Sequence, residues 1–510
     1  MNFHAMKTLG PLREKISLSF PLRGRRLCER KLFAVLILGC GLILAAGDMA
    51  GASTNTVLLV GVATTDITPL GPVALAGQMH TRISQGVRSP LTATAIALES
   101  RYNGKVADQA IIISCDLIFV PKEILNDVRR NLKDRLPEFD GRKLITSATH
   151  THTAPVLEEG RHNIPEKGVI QPAEYIRFLT GQVSDLAEKA WRERKPGGVS
   201  WGLGHAMVAQ NRRALYADGR TRMYGKTTEP EFRGIEGYED HDVDVLFFWN
   251  EAKKLVATAI TVACPAQTVE NNSSIDADYW HEVRENLKEK YSPELNVLGW
   301  IGAAGDQSPH IIYREGAEER MRRLRGLGHL QEIGRRITRA VEEAFEVARK
   351  DIRTGPVMMH KVDHVKLPLR RVTEQELAAA KVRVDSLSSD PDKKARLIWH
   401  KRVIDRYERQ KTNPYYDMEL HVVRLGDVAI CTNPFELFTD FGIQIKARSK
   451  ALQTFVIQLA GPGSYIPTQK AVRGGDYSTG VESNLVGPEG GEVLVDRTVE
   501  QINSLWAEGQ

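Results

Sequence analysis

The chain has 510 residues, 42% hydrophobic and 26% charged. That is ordinary globular material for one large or two medium domains and excludes a disordered chain. Its formal charge of +5 resides in the first 52 residues, which hold eight Lys/Arg and three Asp/Glu: 69 less 8 and 64 less 3 leave 61 of each sign. No Lys/Arg run with interleaved aromatics stands out, so a nucleic-acid partner is excluded.

At the start, Lys7, Arg13, Lys15, Arg23, Arg25, Arg26, Arg30 and Lys31 precede an apolar run from Leu32 to Gly47 and the small residues Ala50-Gly51-Ala52. This reads as a secretory signal over 1–52, cleaved near Ala52; the alternative is a retained anchor, for which about sixteen apolar residues are slightly short. Past it only Cys115, Cys264 and Cys431 remain, too few for a disulfide framework. Strand-like runs then follow at Val57–Ile67, Thr92–Leu98, Gln109–Val120, Lys143–Thr149, Val199–Asn211 and Val243–Trp249, with helical periods at Ile124–Leu136 and Ala173–Arg194. Further strands are expected at Leu255–Cys264 and Asn296–Ile301, one long helix over Glu318–Lys350, and a helical excursion over Glu374–Asp405 broken at Asp390-Pro391. Strands return at Pro356–Leu369, Glu419–Cys431 and Thr454–Leu459 before a last helix at Glu492–Trp506. The expected class is α/β, with mixed β-sheets flanked by helices in a single large domain over 53–510.

Two segments suggest chemistry. In Ser147-Ala148-Thr149-His150-Thr151-His152-Thr153 two imidazoles stand two apart at the end of a strand-like run. In a strand both leave the same face, about 7 Å apart at their backbones, close enough for one to hold a metal while the other meets a substrate. A half-buried strand with a polar face reads equally well. In Gly305-Asp306-Gln307-Ser308-Pro309-His310 a strand runs into a tight turn, where a serine hydroxyl can stand clear as a nucleophile or simply form the turn.

Together these segments, with the opening Gly61-Val62-Ala63-Thr64-Thr65-Asp66-Ile67-Thr68-Pro69, resemble the neutral/alkaline, non-lysosomal ceramidase family. The resemblance implies that His150 binds zinc, that His152 faces the substrate and that Ser308 is the nucleophile. It also implies that Arg212, in Asn211-Arg212-Arg213, lines the active site. By the same resemblance Glu436, in Asn433-Pro434-Phe435-Glu436-Leu437, and Tyr465, in Ser464-Tyr465-Ile466-Pro467, are zinc ligands, and Tyr477, twelve residues on, belongs to the pocket. The chain departs from the family at the remaining ligand. Where the family has a histidine before proline, fourteen residues ahead of an aspartate, this chain has Cys264-Pro265, with Asp278 at that separation. A thiolate is a good zinc ligand, so Cys264 completes the expected set; His281 and His310 are the alternatives. His310 itself replaces the family's asparagine after Ser308-Pro309.

The function implied is zinc-dependent hydrolysis of a linear amide, an N-acyl sphingoid lipid presented as a small molecule or at a membrane. The expected domain is the catalytic one alone, without the family's C-terminal immunoglobulin-like domain. The competing readings are a catalytically silent metal, lipid or glycan binder on the same scaffold, and a hydrolase of other amides or esters. Of the remaining histidines, His360 and His364 share a strand face but lie about 13 Å apart, too far to share an ion.

Overall fold

The structure, a computed structural model, describes residues 56–507; the expected leader lies outside them. Eight strands form a mixed sheet in the spatial order Asn296–Ile301, Leu255–Val262, Asp242–Asn250, Lys195–His205, Thr56–Asp66, Thr92–Tyr102, Lys105–Cys115 and Leu144–Ala148. The pair at each end of the sheet is parallel and the rest are antiparallel.

The period of two along these strands sets the layers. On the strand Thr92–Tyr102, Ala93, Ala95 and Ala97 pack with Leu179 and Val183 of the helix Pro172–Arg192. Ile96 and Leu98, one residue out of phase, pack instead with Val428, Ile430, Phe455 and Ile457 of a second sheet. The same alternation places Val243, Val245 and Phe247 under the helices Tyr279–Lys290 and His329–Ala348, and Leu246 and Phe248 on the inner face. The second sheet runs Met358–Pro368, Tyr415–Leu425, Val428–Thr432, Gln453–Ile457, and the helices Thr439–Arg448 and Pro488–Ala507 cover its far side. The result is helices, sheet, sheet, helices, with apolar burial on both sides of each sheet as the main cohesive term.

Departures from the sequence expectations have local causes. The helix expected over Glu318–Lys350 is two, Glu315–Arg325 and His329–Ala348, because Gly326 takes a left-handed φ of 69° that ends the first. The strand expected over Glu419–Cys431 is a hairpin, turning at Gly426 with φ 65°. The break at Asp390-Pro391 is present, between the helices Glu374–Leu387 and Lys394–Arg409. His360 is buried against His421, whereas His364 is exposed beside Asp417. No helix among the described residues is long and apolar enough to cross a membrane.

Candidate active site

The strand Leu144–Ala148 ends one residue before the histidine segment, and His150 takes a left-handed φ of 65°. The side chains are therefore gathered by a turn rather than by strand alternation. The intervening threonines are its anchors: Thr149 Oγ1 donates to Asp116 (3.1 Å), and Thr151 and Thr153 both donate to the Asp276 carbonyl (2.7 and 2.8 Å). His150 Nδ1 donates to the Ile118 carbonyl at 2.8 Å, which leaves the Nε2 lone pair facing inward. That Nε2 lies 3.3 Å from His152 Nε2 and 3.5 Å from a Glu436 carboxylate oxygen.

Glu436 lies three residues ahead of the helix Thr439–Arg448. It sits on the two-residue strand Glu436–Leu437, paired in parallel with Tyr465–Ile466 so that Glu436 and Tyr465 are register partners and their side chains hydrogen-bond. Burial would raise the Glu436 carboxyl, but His150, Arg212 and Tyr465 hold it below the usual range. Burial and the Glu436 charge push the Tyr465 phenol well up, so a phenolate there requires a cation at hand.

Arg212 is buried and donates to the Gly305 carbonyl (2.9 Å) and the Tyr465 hydroxyl (3.1 Å), with Tyr224 and Gln267 at 3.3 and 3.4 Å. Burial opposes its charge, yet Tyr465, Tyr224 and Glu436 keep it cationic. Ser308 lies on the short strand Gln307–Ser308 against Gln210–Asn211 and is wholly buried rather than standing clear in a turn. Its Oγ accepts from the Tyr224 hydroxyl and the His310 N–H, both at 3.1 Å. Asp306 locks this turn, accepting from Asn211 Nδ2 (2.7 Å) and from the Thr439 N–H and hydroxyl (2.9 and 2.8 Å). Tyr477 is 38% exposed, meets Tyr465 edge-on with ring centroids 6.0 Å apart, and stacks on Trp399 of the helix Lys394–Arg409. It marks the open side of the site.

Cys264 is not brought into this group. It is buried in an apolar cluster with its thiol directed at the carbonyls of Val208 (3.6 Å) and Pro265 (3.7 Å), and burial, then Asp278, pushes the thiol well up. Asp278 in turn caps the helix Tyr279–Lys290 and accepts from the Val269 N–H (3.0 Å). The loop after Pro265 does contribute: Gln267 Nε2 lies 2.8 Å from His152 Nε2, and Glu270 lies between His152 and His310.

Sequence reasoning missed Gln267, Glu270 and Tyr224. For the first two a signal existed, since both follow the singled-out Cys264-Pro265 within six residues; for Tyr224 none did.

His150, Glu436 and Tyr465 present an imidazole nitrogen, a carboxylate and a phenol to one another, a donor set that suits zinc. The carbonyl bond behind His150 is the support that metal-binding imidazoles require. Among the described residues no group of three or more His, Cys, Asp and Glu is disposed to hold a metal, so the fit depends on the Tyr465 phenol as a donor.

No family model matches the chain, and no curated protein does. Solved structures do match. The neutral ceramidase from Pseudomonas aeruginosa aligns with a TM-score of 0.64 at 15% identity, over 89% of this chain and 75% of that one. A structure described as ceramidase complexed with C2 aligns with a TM-score of 0.63 at 14% identity, over 89% and 76%. The fold is thus a neutral-ceramidase-like α/β fold in a single large domain.

Proposed function

We propose that this chain is a metal-dependent hydrolase of linear amides, with an N-acyl sphingoid lipid as its substrate. The observation that carries this reading is the meeting of His150, Glu436 and Tyr465 beside Arg212 and Ser308 on that fold. His150, Glu436 and Tyr465 would hold a zinc ion, whose chemistry when bound is to polarise a carbonyl and acidify water.

The chain's own groups account for the rest. Arg212 supplies a fixed cation close to the donors, held in place by the Gly305 carbonyl, and stabilises negative charge developing on the substrate oxygen. Burial, with His150, Arg82 and Arg212 close by, keeps His152 well below its ordinary pKa, so it stands in the site as a neutral imidazole that orients the substrate. Tyr224 and the His310 N–H both donate to Ser308 Oγ and favour its oxyanion. Ser308 Oγ would form the new bond to the amide carbon, the carbon–nitrogen bond would break with the proton passing to the amine, and water would release the acid. Tyr477 lines the approach. The basic and apolar leader over 1–52 supports export, either into the periplasm or out of the cell.

The deciding experiment combines zinc content with turnover of an N-acyl sphingosine by the purified chain. Ser308→Ala is expected to lower kcat by about a thousandfold or more while leaving metal content and thermal stability near the parent. Retention of most turnover would make Ser308 a structural residue of the short strand. Cys264→Ala is expected to keep its metal, and a cobalt-substituted parent to lack thiolate-to-metal charge-transfer absorption, because the thiol faces two carbonyls. Loss of most metal in the alanine variant would return Cys264 to the ligand set.

A further inference from the structure

Glu270 has no role in the reading above, yet its two carboxylate oxygens face two histidines of the site. Oε2 lies 3.4 Å from His152 Nδ1 and Oε1 lies 3.2 Å from His310 Nε2. The carboxylate side chain is 17% exposed, and His152 Nδ1 is buried and makes no hydrogen bond among the described residues, with the Glu270 carboxylate the charged group beside it. The other side of the His152 ring fixes its tautomer. Gln267 directs its carbonyl oxygen at Arg212, so its N–H end is the one that meets His152 Nε2. Nε2 therefore accepts, and the ring proton sits on Nδ1, facing Glu270.

The ring has little freedom to choose another orientation. Gly77, at φ 92°, lies against it so closely that a Cβ there would be 2.4 Å from His152 Cγ, and Arg82 holds the His152 carbonyl at 2.6 Å. On the far side, His310 follows the Ser308-Pro309 step, gives its N–H to Ser308 Oγ and meets the Tyr224 ring edge-on at 5.7 Å. One carboxylate thus spans from the paired histidines to the serine turn.

We propose that Glu270 is a positioning residue: one oxygen favours His152 as the Nδ1–H tautomer, whose Nε2 lone pair accepts from Gln267, and the other is braced by His310. The kinetic part of this proposal rests on the amide-hydrolase reading; the tautomer part does not.

The test is Glu270→Gln beside Glu270→Asp. A glutamine can accept from only one of the two imidazoles and presents an N–H to the other. It is expected to lower kcat roughly 100-fold with KM changed less than about threefold, while aspartate, still an acceptor toward both, recovers part of the rate. Nitrogen chemical shifts of the ring in ¹⁵N-histidine-labelled protein should show His152 protonated at Nδ1 in the parent and shifted toward Nε2 in Glu270→Gln. An unchanged tautomer in Glu270→Gln overturns the proposal, and so does an equal loss of rate in both variants accompanied by a fall in thermal stability. If the parent hydrolyses no amide at all, the functional reading fails, and the ring shifts alone still decide the role of Glu270.

Discussion

Arg213→Ala is expected to lower the free energy of unfolding by about 3–5 kcal/mol, the cost of breaking a buried ion pair by removing one partner. Arg213 is wholly buried, pairs with Glu236, and donates to Thr221, to Ser478 and to the carbonyls of Ala471 and Gly475. Alanine leaves a buried carboxylate and several acceptors without a partner. The Ala471–Ser478 segment carries Tyr477, so an increase in KM should accompany the loss of stability. Urea midpoints for parent and variant measure the first effect, and a difference below about 1 kcal/mol would mean that the guanidinium is dispensable to this packing.

His150→Ala and His152→Ala should differ in kind. His150 faces Glu436 through Nε2 and is fixed behind by the Ile118 carbonyl, so its loss should weaken zinc binding by at least about 100-fold and abolish turnover. His152 is engaged by Gln267 and Glu270 instead, so its alanine variant should keep zinc and lose rate. Metal content after dialysis against a weak chelator separates the two. Equal loss of zinc in both would place His152 among the ligands.

The sequence made the α/β class and most strand positions legible because a strand buried on both faces reads as a short, nearly continuous run of apolar and small residues, as along Thr92–Tyr102. It also pointed to His150, Arg212, Ser308, Glu436 and Tyr465, which the fold gathers from distant segments. What it hid was backbone geometry. The spacing of His150 and His152 suggested a strand face, whereas a left-handed residue brings their rings to 4.8 Å. The short strand that holds Glu436 could not be read locally, because its pairing with Tyr465 is a contact between remote positions that leaves no local pattern. Cys264 was placed by its distance from Pro265 and Asp278 along the chain, and spacing does not say which way a side chain turns; Val208, far away in sequence, is what the thiol meets.

The scattered origin of the donors has a consequence for assembly. His150 follows an edge strand of the larger sheet, while Glu436 and Tyr465 pair with each other from remote positions and pack with the smaller sheet and its last helix. Loop-closure entropy makes such remote pairings late events, so no early intermediate or fragment lacking the final third of the chain would possess the set. A cation bound there would recognise the finished fold alone, and by mass action would stabilise it by about 4 kcal/mol at a thousand times its Kd. Metal uptake would then serve as a clock for the completion of folding, lagging behind the appearance of secondary structure and absent from any chain truncated before Tyr465.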